Sequence, residues 1–229
     1  MKSLFNHKYP LLKNCGFKRK GNAFFRIQGD GVIQLIKLEP ERYGKEYEIK
    51  IGLFSMYSRL MPQWLTSKGC IPRYSIYSIA DHVSDCPVSN NWGGEFPTSK
   101  EMKIQKALLW LDSINTQQAL ADGLCLLDTA YGGKVIWADR LKVVPFLLSE
   151  NYDSAKLAVE AILKQHHDAY KQKQNIYSTE ELERVFQRRK EEDTRLEYLL
   201  SLIDSRNYQE IQKYAKTNFD QNSHYAKLW

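Results

Sequence analysis

Ala23-Phe24-Phe25-Arg26-Ile27-Gln28, then Gly29-Asp30-Gly31, then Val32-Ile33-Gln34-Leu35-Ile36-Lys37-Leu38 is the stretch on which the fold turns. Two runs of aromatic and branched residues flank a short Gly-Asp-Gly break, the pattern of antiparallel strands joined by a tight turn. Pro40 and Gly44 close the second run. Beyond them Tyr47, Ile49, Ile51 and Leu53 alternate with Glu48, Lys50 and Gly52. That period of two belongs to a strand with one buried face, so the first set is expected inside and Glu48 and Lys50 outside. Ile71 to Ile79 offers a fourth strand, with Tyr74, Ile76 and Ser78 on one side. An antiparallel meander of this kind has to pack its apolar face on another layer.

Upstream, a short helix is expected over about Ser3 to Asn14, broken before Pro10 and capped at Gly16. Residues 61–97 are rich in Pro, Gly, Ser and Asn but hold Trp64, Trp92 and Phe96, and read as ordered loops pinned by aromatic side chains. Downstream the period changes. Thr98-Ser99-Lys100-Glu101 and Ser178-Thr179-Glu180-Glu181 are capping-box sequences. Helical spacing follows each: Ile104, Leu108 and Leu111 after the first; Leu182, Phe186, Leu196 and Leu199 after the second, reaching Asp204 with Arg188 to Asp193 as a solvated stretch. Further helices are expected over Thr116–Leu127, Val135–Leu148 with Pro145 inside, and Ser154–Gln172. Ser149-Glu150-Asn151-Tyr152 is echoed by Ser205-Arg206-Asn207-Tyr208, each between two helical patterns. The echo predicts two helix–helix turns of one chemistry, with a tyrosine packed in each angle. The expected fold class is α+β: an N-terminal antiparallel sheet with a flanking helix, followed by a mainly helical C-terminal half, with domains over 1–130 and 131–229.

Composition fits this reading. Of 229 residues 43% are apolar and 26% charged, which is ordinary for a globular protein able to build a core without disulfides. The longest apolar run, Val143 to Leu148, is six residues with a proline inside, whereas a spanning helix needs about 20. Residues 1–30 carry no secretory pattern. Cys15, Cys70, Cys86 and Cys125 form no C-x-x-C pair, so reduced thiols, a cytoplasmic setting and no membrane association are expected.

Charge is unevenly placed. Residues 1–97 hold 14 Lys/Arg against 8 Asp/Glu, and residues 98–229 hold 19 of each, so the whole +6 lies in the first part. Such a field favours anionic partners: acidic protein, nucleic acid or phosphate. Its densest point is the turn Lys18-Arg19-Lys20, with Asn22 and Arg26 close behind. Arginine supplies bidentate contacts to phosphate and the neighbouring phenylalanines supply stacking surfaces, so Lys18, Arg19, Lys20, Asn22 and Arg26 are the candidate binding residues. A converging cluster would need Arg26, on its strand, to point the same way as the turn.

No nucleophile elbow, P-loop, dinucleotide fingerprint or H-E-x-x-H occurs. Asp81-His82 and Asp85-Cys86 have metal-ligand types but no second cluster to complete a site. His166-His167 points two ways from one helix and reads as a polar face. No cofactor, catalytic residue or metal ligand is assigned.

The string Cys15-Gly16-Phe17-Lys18-Arg19-Lys20-Gly21-Asn22-Ala23-Phe24-Phe25-Arg26, the strand Val32-Ile33-Gln34-Leu35-Ile36 and the later strand ending Ile49-Lys50-Ile51-Gly52-Leu53 resemble a bacterial family, domain of unknown function 4304. The resemblance covers residues 1–80 well and 81–130 loosely, leaving 150–229 as an added helical tail. Glu39 and Lys50 stand where that family tends to carry amides. The resemblance implies a fold and no activity. The expected function is non-enzymatic binding of a protein partner, in a toxin-neutralising or regulatory role. The alternatives are nucleic-acid or nucleotide binding through Lys18 to Arg26, and an enzyme built around His82, Cys86 or Trp92 to Phe96.

Overall fold

A computed structural model describes residues 10–20, 23–40, 47–58, 76–79, 100–130 and 136–226. The chain runs α1 (Pro10–Asn14), β1 (Lys18–Lys20), β2 (Ala23–Gln28), β3 (Val32–Pro40), β4 (Tyr47–Ser55) and β5 (Ile76–Ile79). Six helices follow among the described residues: α2 (Lys100–Ser113), α3 (Gln117–Ala130), α4 (Ile136–Leu148), α5 (Tyr152–Gln174), α6 (Thr179–Asp204) and α7 (Tyr208–Ala226). The strands form one antiparallel sheet in sequence order, β1-β2-β3-β4-β5. The architecture is the expected α+β, a sheet followed by a mainly helical half. Among the described residues no helix is long and apolar enough to cross a membrane.

Register assigns the faces. Phe24 lies opposite Ile36, Arg26 opposite Gln34, Gln34 opposite Leu53 and Ile36 opposite Ile51, so these residues share one face. Phe25, Leu35, Ile33 and Phe54 share the other. The first face meets the end of α2 and the start of α3: Gln34 Nε2 donates to the carbonyls of Leu111 (2.6 Å) and Ile114 (2.8 Å), and Ser55 Oγ to Gln117 Oε1 (2.8 Å). The second face is also withdrawn from solvent, with Ile33, Leu35 and Phe54 all buried. The half-buried reading of β4 is therefore corrected over 51–55, where Gly52 and Phe54 are buried as well as Ile51 and Leu53. β4 is an interior strand, paired on both edges. The side chains of Tyr47 to Lys50 lie outside the described residues, as do Tyr74 and Thr98.

The sheet's core takes in Ala107, Leu108 and Leu111 of α2, Leu120 and Leu124 of α3, and Leu141 of α4. A second core joins α3 to α7, from Ala121 through Val143, Phe146, Val159, Ile162, Leu199 and Ile203 to Ile211. Both cores cross residue 130. α7 then returns to the sheet, where Asn222 Nδ2 donates to the carbonyls of Met56 (2.7 Å) and Ser58 (2.8 Å).

The echoed turns have one geometry. Glu150 (φ 58°) and Arg206 (φ 54°) are left-handed. Each closes its helix with two backbone bonds, Glu150 N to Leu147 O and Asn151 N to Phe146 O in one, Arg206 N to Ile203 O and Asn207 N to Leu202 O in the other. This is the Schellman pattern with a charged residue where glycine is usual. Asn151 and Asn207 then cap the following helices through Oδ1. The tyrosines stack on each other, ring centroids 4.5 Å apart, which joins the two turns.

Candidate functional site

The approach to the basic turn is fixed by the end of α1. Gly16 adopts φ +80°, its N–H donates to Lys13 O, and Phe17 N–H donates to Leu12 O. This glycine-closed helix end delivers Phe17 to the core and starts β1 at Lys18. Lys13, Lys18 and Arg19 are exposed.

The pleat then separates the cations. Lys18 pairs with Phe25 and Arg19 with Phe24, so Lys18 and Arg19 project from opposite faces of β1. Arg19 lies over the Phe24 ring, 5.9 Å from its centroid. Arg26 shares the face of Phe24 and Gln34, beneath the helices, and is buried. Its Nε donates to Gln34 Oε1 (2.8 Å), Nη1 to the Cys15 carbonyl (2.8 Å), and Nη2 to the Asp112 carboxylate. The guanidinium also sits 4.5 Å from the Phe17 ring centroid. Arg26 thus joins α1, β2, β3 and α2 and does not reach the surface of the turn. The backbone of Lys20 lies in β1, but its side chain and all of Asn22 lie outside the described residues, so the site as assembled consists of Lys18 and Arg19 with Lys13 nearby.

The hairpin tip is equally committed. Asp30 N donates to Asn115 O (3.0 Å), Gln117 Nε2 to Asp30 O (2.5 Å), and Tyr57 Oη to Asp30 Oδ1 (3.1 Å). Partial burial, then the adjacent Asp30 charge, hold the Tyr57 hydroxyl above its ordinary pKa. A Cβ at Gly29 would lie 2.0 Å from Asn115 O, so only glycine permits this approach.

A second polar cluster sits between α4, α5 and α6. His166 is buried, with Nδ1 2.5 Å from Asp193 Oδ1 and Nε2 facing Arg140 Nη2. Arg140 also pairs with Glu192 at 3.1 Å. This geometry fits a neutral ring that donates from Nδ1 and accepts at Nε2. Burial pushes the Arg140 guanidinium below its ordinary pKa, partly offset by Glu192. Two expectations are corrected here. His166 belongs to the interior, with His167 left exposed. Glu192 and Asp193 are half-buried, because the long helix turns them toward α5. The signal was present in α5, whose buried residues 155, 158, 159, 162 and 166 follow one helical stripe. Gln34 gave a similar signal as an amide inside an apolar strand. Asn222 gave none, since its partners are more than 160 residues away.

His82, Cys86 and Trp92 to Phe96 lie outside the described residues. Cys15 and Cys125 are half-buried. Among the described residues no group of three His, Cys, Asp or Glu is arranged to hold a metal ion. Glu39 is in register with Glu48, and Lys50 with Lys37.

Residues 8–95, the stretch that holds the sheet, match the model of the family described as Domain of unknown function (DUF4304). The match ends before α2, and the helical half lies beyond it. No curated protein and no solved structure matches the chain.

Proposed function

We propose that the protein is a non-catalytic binding protein whose N-terminal part docks on an acidic protein partner, as a neutralising or regulatory protein would. The observation that carries this reading is the placement of charge. The entire +6 lies in residues 1–97, and Lys13, Lys18 and Arg19 stand exposed where α1 gives way to β1. The direction of Arg26 weighs against phosphate recognition. A phosphate cradle gains most from a bidentate arginine, and this arginine is occupied by Gln34, Cys15 and Asp112. The buried polar groups Arg26, Gln34, His166 and Asn222 all tie elements together, which is a structural use rather than a reactive one.

The test is a titration of the full chain, at low salt, with a labelled polyglutamate and with single-stranded and duplex oligonucleotides. Salt-sensitive binding of polyglutamate that Lys18→Glu with Arg19→Glu abolishes is the expected result. Lys18 and Arg19 alone give a slope of about −1 to −2 on a double logarithmic plot of affinity against salt. Oligonucleotide binding tighter than that of polyglutamate would overturn the reading in favour of nucleic acid.

A further inference from the structure

The buried stripe of α7 changes character along its length. Ile211, Ala215, Asn218 and Asn222 recur at steps of four and three on one face of the helix, and all are buried. Ile211, with Tyr214 beside it, belongs to the second core. Past Ala215 the stripe is made of amides, and the half-buried Phe219 packs on the sheet's core instead. The echoed turns mark the change. With Asn207 set on Asn151, Asn218 and Asn222 stand where α5 carries Ile162 and His166.

The two amides differ in how they are served. Asn222 Nδ2 is satisfied by the carbonyls of Met56 and Ser58. Asn218 Nδ2 and Ser58 Oγ, on residues only 5% and 6% exposed, find no partner among the chain's own groups. A buried polar atom without a partner recovers its hydrogen bonds only when water reaches it, so both atoms favour an opened seam. The apolar attachment at Ile211 carries no such penalty.

We infer that the C-terminal half of α7, residues 216–226, is a releasable strap. It lifts from the sheet end while the N-terminal half of the helix stays in the second core. Closed, it makes two amide-to-carbonyl bonds and lays the Phe219 ring over Tyr57, with Gly31 leaving room for it, since a Cβ there would lie 3.1 Å from the ring. Open, it hydrates Asn218 and Ser58 and uncovers the chain leaving β4 at Met56 to Ser58. The Lys216–Asp220 pair (2.9 Å) lies within the strap, so its helical turns keep that support on release. The strap therefore governs when this end of the sheet is accessible.

The test is native-state hydrogen exchange on the full chain, read by nuclear magnetic resonance, with Leu199 to Ile203 of α6 as internal reference. Amides of residues 218–222 should exchange together, about tenfold or more faster than the reference. Simple fraying of a helix end gives the same speed, so the variants decide. Ser58→Ala removes an unpartnered hydroxyl on the sheet side of the seam without touching α7. It should slow exchange over 218–222 about fivefold or more, and Ser58→Ala with Asn218→Leu should slow it further, with α6 unchanged. Asn222→Ala should quicken it by a similar factor. No response to Ser58→Ala would overturn the strap in favour of fraying. Faster exchange in Ser58→Ala or Asn218→Leu would also overturn it, because the removed groups would then be bonded to bound water in the closed form. Exchange of 218–222 in step with α6 would overturn it as well. Far-ultraviolet circular dichroism guards against loss of fold, and where the double variant does not fold, Ser58→Ala and Asn222→Ala carry the test.

Discussion

Arg26 concentrates the residue-scale logic of the sheet. A buried guanidinium survives when its donors are used, and three are: on an amide oxygen, a carbonyl and a carboxylate. Asp112 is half-exposed, so the ion pair itself adds little, and the neutral acceptors matter more. Arg26→Ala leaves Gln34 Oε1 and the Cys15 carbonyl without that donor and opens space beside Phe17. It should cost about 2–4 kcal/mol in urea unfolding. Arg26→Lys retains the charge but offers one nitrogen for three directions, and should recover less than half of that loss. Retention of full stability by either variant would show that the guanidinium does not hold these elements. The sequence showed Arg26 as part of a basic string, and the string was misleading as to direction. Period two holds within a strand and not across a turn; the register puts Lys18 on the face opposite Arg26 and Arg19 on the same face, and which face is covered depends on α2, nearly ninety residues away.

Among the elements, α6 is the one whose start was most legible. Ser178 Oγ accepts from Glu181 N, and the Glu181 carboxylate accepts from the Ser178 N–H and hydroxyl, a complete capping box. Those bonds hold the Glu181 carboxyl below its ordinary pKa. A folded pKa below the unfolded one contributes stability at neutral pH, and that contribution fades as pH falls through the acidic range toward the folded value. Ser178→Ala should cost about 1 kcal/mol at neutral pH. Its deficit relative to the parent should shrink on acidification, as followed by thermal unfolding between neutral and acidic pH. A deficit that stays constant or grows would exclude the carboxylate from the cap. The twin turns are legible as breaks between helices, but the sequence suggests serine as the helix start and asparagine as the turn residue, whereas Asn151 and Asn207 are the caps and Ser205 closes the preceding helix. Their left-handed residues are not legible, because Glu150 and Arg206 carry none of the sequence signal that a glycine would have given.

At the scale of the molecule, the sheet and the helical half are closed on each other by α7. Asn222 bonds two carbonyls where the chain leaves β4, and Phe219 packs against Tyr57 with ring centroids 4.8 Å apart. Asn222→Ala should lower stability by about 1–3 kcal/mol, because both carbonyls lose a donor in a buried seam. Removal of everything after residue 176 strips α6 and α7 from the second core and should lower the melting temperature and the solubility of what remains. A truncated chain that stays monomeric and melts as the parent does would show that these helices contribute nothing to the rest. Local pattern announced the helices of this half; it carried no sign that the last of them returns to the first sheet.

The Asn222 contact has a consequence during synthesis. Its partners stand 166 and 164 positions earlier in the chain. At about 5–20 residues per second the ribosome needs roughly 8–33 s to make the intervening chain. Throughout that time the nascent sheet lacks the helix that covers Met56 and Gly31, so the growing chain presents an apolar sheet end before its own cover exists. Whatever attends the chain as it emerges has that interval in which to meet it.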